Sequence, residues 1–194
     1  DDEAFAIAEQ RGYDDVLAWR IARASWRATE EGRLDDARVL MRQAHEAHDR
    51  LGNFEAASGA LRGMGFSLMV SGDLTAGEML ARESYEYAGR FNLRFYQQLA
   101  LMDVVGAAYA RCDWAECEHL LAETPGDLDF RADLFRMWIA ELRGDTEAAR
   151  ALLVDPQRAG GGADAAAQIH SGNAGMLYRF GEHGAARAEI AAMV

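Results

Sequence analysis

The chain has 194 residues, half of them apolar and 27% charged, which bounds it to an ordinary globular domain with enough apolar side chain for a buried core. Its 32 Asp and Glu face 20 basic residues, every one an arginine, for a formal charge of −12. Nucleic acids and anionic lipid surfaces are held mainly by cationic side chains, so direct nucleic-acid binding and membrane attachment are not expected. The expected partner is a protein, a peptide or a small-molecule effector.

No apolar run reaches the roughly 18 residues of a membrane span. The opening Asp1-Asp2-Glu3 lacks the basic region of a signal peptide. Cys112 and Cys117, five apart, form neither a CxxC motif nor a disulfide framework. A reducing, cytoplasmic setting is expected. A first residue other than Met and a helical pattern still running at Val194 point to a segment of a longer protein that carries further domains.

The predicted elements are all helices. A short one over Glu3–Gln10 reads as the second half of a unit. Five antiparallel pairs follow: Val16–Glu31 with Leu34–Leu51, Glu55–Ser71 with Leu74–Phe91, Leu93–Arg111 with Trp114–Ala122, Leu128–Arg143 with Glu147–Val154, and Ala165–Phe180 with His183–Met193. Apolar residues recur at three and four, as in Leu40, Met41, Ala44 and Ala47, which makes one face of each helix apolar. β-branched residues are few and never alternate, so no strand is predicted.

An internal repeat sets the boundaries. GRLDDA from Gly32, GDLTAG from Gly72, CDWAEC from Cys112, GDTEAA from Gly144 and GEHGAA from Gly181 share one pattern, at intervals of 40, 40, 32 and 37 residues. A second series, RGYDD around Gly12 and LGNFE around Gly52, has the same 40-residue interval. Glycine ends a helix in the left-handed region without steric penalty, and Asp73, Asp113 and Asp145 are placed to cap the helix that follows. Small residues mark the predicted helix crossings. Ala37, Gly77, Cys117, Ala149 and Ala186 occupy one place in the second helices, and Ser25, Gly65, Val105 and Ala174 one place in the first, where the fourth unit departs with Met137.

This pattern, a small residue in the first helix, Gly-Asp or Gly-Glu at the turn and Ala in the second helix, resembles the tetratricopeptide repeat from about Val16 onward. The period of about 40 is longer than the usual 34. With HEAHDRLGN and YAGRFN, it resembles the variant in large MalT-like, LuxR-family transcriptional regulators. The resemblance implies a single all-α domain, a superhelical stack of helix pairs that acts as sensor and interaction domain of a multidomain bacterial regulator. A free-standing tetratricopeptide scaffold or peptide-binding co-chaperone is the alternative. The latter's carboxylate clamp would need Lys and well-placed Asn; the chain has no Lys, and Asn53, Asn92 and Asn173 are few and scattered.

In such a stack the first helices are expected to line the concave side. Putting their small residue in the core leaves Trp19, Trp26 and Thr29 on the inner face of the first unit. The same offset gives Arg62, Phe66 and Met69, then Met102 and Tyr109, then Trp138 and Tyr178. Aromatic residues and Arg are enriched at binding hot spots, which makes this set the candidate ligand-binding surface. Trp26 and Phe66 lead it because they hold one position in successive units. Met64 and Met79 join Met69, Met102 and Met137 as residues able to line an adaptable surface.

No catalytic constellation or cofactor site is predicted. His45 and His48, in HEAH rather than HExxH, lack a third ligand and read as a solvated helix face. No Ser or Cys has a recognisable base partner. Gly160-Gly161-Gly162 has no strand before it and no Lys-Ser/Thr after it, so a flexible joint over residues 155–164 is predicted there rather than a phosphate cradle.

Overall fold

The computed structural model describes residues 7, 10–124, 130–155 and 163–193, with backbone alone at 163–165. Every regular element in them is an α-helix: α1 (Asp14–Glu30), α2 (Leu34–Arg50), α3 (Phe54–Val70), α4 (Leu74–Arg90), α5 (Arg94–Ala110), α6 (Trp114–Ala122), α7 (Phe130–Leu142), α8 (Thr146–Ala151), α9 (Ala163–Arg179) and α10 (His183–Ala191). The chain divides into two compact units, Asp1–Asp113 and Trp114–Val194, so the two helices of the third predicted pair fall in different units. Within each unit helices pack in neighbouring pairs, the all-α repeat architecture that the periodicity predicts. The predicted Glu3–Gln10 helix falls mostly outside the described residues, as do residues 156–162 of the predicted joint.

The first unit is regular because one corner is used over and over. Its five helices are each 17 residues long and are joined by three residues. Gly12, Gly32, Gly52, Gly72, Asn92 and Cys112, twenty apart, all have positive φ. Behind Gly32, the Gly32 amide donates to the Thr29 carbonyl (3.0 Å) and Arg33 to Ala28 (2.8 Å). The same two bonds recur at the next four corners, and they satisfy carbonyls that a helix end leaves open. Gly144 and Gly181 form the same corner in the second unit. Asn53, Asp73 and Asp145 cap the following helices by accepting from the amides of Ala56, Ala76 and Ala148.

All ten residues assigned to the crossings, Met137 included, are buried. Their burial lets the helices approach closely. A Cβ on Gly65 would lie 2.9 Å from the Gly77 carbonyl oxygen. The first unit's core gathers Met41, Leu61, Met64 and Tyr87, with Phe54 and Leu80 against it. The second unit's core gathers Phe130, Leu134, Met137, Val154, Ile169 and Met176.

One boundary needs correction. The helix expected over Glu147–Val154 stops at Ala151. The side-chain amide of Asn173, itself buried, accepts from the Val154 N–H (3.1 Å) and donates to its C=O (2.8 Å), so both backbone groups are satisfied outside a helix. Asp155 also precedes Pro156, a position that disfavours helical backbone.

Candidate interaction surfaces

The nine candidate residues do not share one environment. Trp19, Trp26, Phe66 and Tyr178 are exposed, Trp26 and Phe66 to 48% and 46%. Arg62, Met69, Tyr109 and Trp138 are half-buried. Met102 is only 4% exposed, inside the core of the first unit, and presents no surface. Trp138 packs against the core of the second unit and meets Phe135 edge-on.

In the first unit the first helices of successive pairs touch. The Trp26 indole lies over Gly63, where a Cβ would come within 3.2 Å of its Cζ2. The hydroxyls of Thr29 and Ser67 stand 3.4 Å apart between α1 and α3. Between α3 and α5, Arg62 Nε reaches Asp103 Oδ2 at 2.6 Å, so this candidate cation is already held by a carboxylate of the same unit. The outward side of these helices carries Trp19, Trp26 and Phe66, together with Phe95, which sequence reasoning missed. Phe95 opens α5, one residue beyond the turn, where an exposed aromatic has no periodic partner to mark it.

Across α3 lies a second surface. The second helices α2 and α4 are bridged by Arg42 and Glu83 (3.7 Å), and between them runs a groove of about 910 Å³. Met64 and Leu68 form its floor, with Leu80; Val39 and Met79 stand at its rim, 58% and 67% exposed. Phe66 is two residues from each floor residue, about 200° round the helix at 3.6 residues per turn, and so faces the other way. The sequence assignment of binding to the first helices passed over this groove, although it singled out Met64 and Met79.

In the second unit Tyr178 leans on His183 (4.9 Å) and lines a hollow of about 760 Å³ with Ile190 and Met193.

His48 requires a correction. The predicted solvated face is in fact packed there: His48 is 1% exposed, meets Trp19 edge-on at 5.0 Å, and has no hydrogen-bond partner among the described residues on either ring nitrogen. Burial pushes its pKa below the ordinary imidazole value. His45 instead bonds the Ala57 carbonyl oxygen through Nδ1 (2.9 Å). Among the described residues, no group of three His, Cys, Asp or Glu side chains is placed to hold a metal ion. No helix among them is long and apolar enough to cross a membrane.

No family model matches this chain, and no curated protein matches it.

Proposed function

We propose that the chain is a non-catalytic binding domain of helical-repeat type that engages a protein, peptide or small-molecule effector through the outward aromatic side of its first helices. One observation carries this reading: Trp26 and Phe66, one 40-residue period apart, both keep about half their surface in solvent. Isolated exposed aromatics are ordinary; a register-matched pair, with Trp19 beside it, offers large and rigid contact area at low entropic cost. The tetratricopeptide-like corner-and-crossing pattern supports placement within a larger protein such as a LuxR-family transcriptional regulator, in a cytoplasmic setting. No step of bond making or breaking enters this reading.

The test is recovery of partners from a bacterial lysate by the native chain and by a Trp26→Ala/Phe66→Ala variant, with mass-spectrometric readout of proteins and small molecules. Partners lost with a variant that keeps its helical circular dichroism would support the aromatic face. Equal recovery by both would remove it.

A further inference from the structure

We infer that the groove between α2 and α4 docks a basic amphipathic helix of a partner protein. This surface lies on the other side of α3 from the aromatic face, and the inference does not rest on that face.

The groove repeats the 40-residue register on both walls. Val39 and Met79 hold one position, Arg42 and Arg82 the next, Glu46 and Glu86 the third. Val39 and Met79 are large apolar residues turned to solvent beside an apolar floor, an arrangement that favours burial against an apolar partner.

The charges select the partner. Each rim arginine already has a carboxylate: Arg38 has Asp35, Arg42 has Glu83 and Arg82 has Glu78. Glu46 and Glu86 are exposed and have no ion-pair or hydrogen-bond partner among the described residues. The unanswered charge of the groove is therefore negative, at one end, and it is matched by Lys or Arg of an incoming chain. Arg42 and Glu83 bridge the groove as an exposed pair, and such pairs open at little cost.

The secondary structure of the occupant follows from the walls. Both are helices whose backbone groups are bonded internally, so an extended peptide would find no main-chain partners there. A helix satisfies its own backbone and needs only side-chain contact, with apolar anchors at i, i+3 or i+4 and i+7. From Val39 to Glu46 the groove runs about 10 Å at 1.5 Å per residue, or two turns of the occupant.

The probe is a fluorescein-labelled Leu/Lys amphipathic peptide of about 18 residues, long enough to hold helix on contact. It is titrated with the full chain and read by anisotropy. Val39→Ser/Met79→Ser and Glu46→Gln/Glu86→Gln are each expected to weaken binding about tenfold, the loss typical of one good anchor. A charge-matched control, Glu30→Gln/Glu55→Gln, is expected to bind like the native chain. Because every residue changed is exposed, each variant is expected to fold, and circular dichroism checks this. Equal weakening by the two Glu pairs would show attraction to net charge alone and overturn the groove. So would tight binding of the peptide with Lys replaced by Glu. Binding of a second copy of the chain in place of the peptide, seen as dimerisation abolished by Val39→Ser/Met79→Ser, would replace the partner helix with self-association and overturn the inference.

Discussion

Gly65 of α3 and Gly77 of α4 cross backbone to backbone: a Cβ on Gly65 would lie 2.9 Å from the Gly77 carbonyl oxygen, and one on Gly77 would lie 2.8 Å from that of Gly65. Neither atom belongs to a flexible side chain, so the helices themselves must part to admit a methyl group. Gly65→Ala is expected to lower stability by about 1–3 kcal/mol and Gly65→Leu by more, despite the better helix propensity of both. Gly59 in the same helix is the control. A Cβ there would meet only Tyr96 Cε1, at an ordinary 3.8 Å, so Gly59→Ala is expected to raise stability by about 0.5–1 kcal/mol. Urea midpoints that moved the same way for both alanines would contradict this crossing.

Cys112 is held at φ +58° in a corner that glycine fills elsewhere. Side chains other than glycine, and to a lesser degree Asn, meet the following carbonyl in that region at a cost of about 1–2 kcal/mol. Cys112→Gly is therefore expected to stabilise the chain by about 1 kcal/mol, and Gly32→Ala to destabilise it by about as much. Thermal melts of the two variants beside the native chain should move in opposite directions.

His48 makes stability depend on pH. Its pKa is lowered by burial, so on acidification the unfolded chain takes up a proton at an ordinary imidazole value before the folded chain does. Stability is unaffected well above about pH 6.5 and falls as pH drops through that value toward the lowered one. His48→Leu removes the difference in proton uptake. Between about pH 7.5 and about pH 5.5 its unfolding midpoint is expected to fall less than that of the native chain. Parallel falls would show that other groups set the dependence.

Asn173 holds Val154 by two hydrogen bonds between buried groups. Asn173→Ala would leave an amide N–H and a carbonyl unsatisfied, at an expected loss of about 2–3 kcal/mol. Hydrogen exchange should show the Val154 amide losing protection first; unchanged exchange there would rule out the clamp.

What the sequence made legible was whatever repeats. The corner pattern recurs even where its spacing changes from 40 to 32 and 37 residues, and so the small crossing residues Ala37, Gly77, Ala149 and Ala186 could be placed in the core from the sequence. Features that depend on residues distant in sequence were not legible. His48 owes its burial in part to Trp19, 29 positions earlier, and nothing within HEAH records that neighbour. Met102 was placed on the outward side in the register of Arg62, 40 residues earlier, yet it lies inside the core. An early end to α8 required knowing that Asn173 reaches Val154. The corner at Cys112 was placed by counting 40 residues from Gly72, whereas the one at Asn92, 40 residues after Gly52, has no glycine to advertise its left-handed conformation.

That counting has a consequence for how such a chain grows. From Gly12 to Cys112 the backbone returns to the same state every twenty residues, with the same pair of corner hydrogen bonds from Gly32 onward. A tandem copy of any two consecutive helices cut at these corners would begin and end in the conformation its neighbours require. First and second helices of each pair would also keep their alternation. Duplication or loss of a whole pair would thus leave every remaining corner intact, so the length of this part of the protein is adjustable in steps of 40 residues without redesigning a junction.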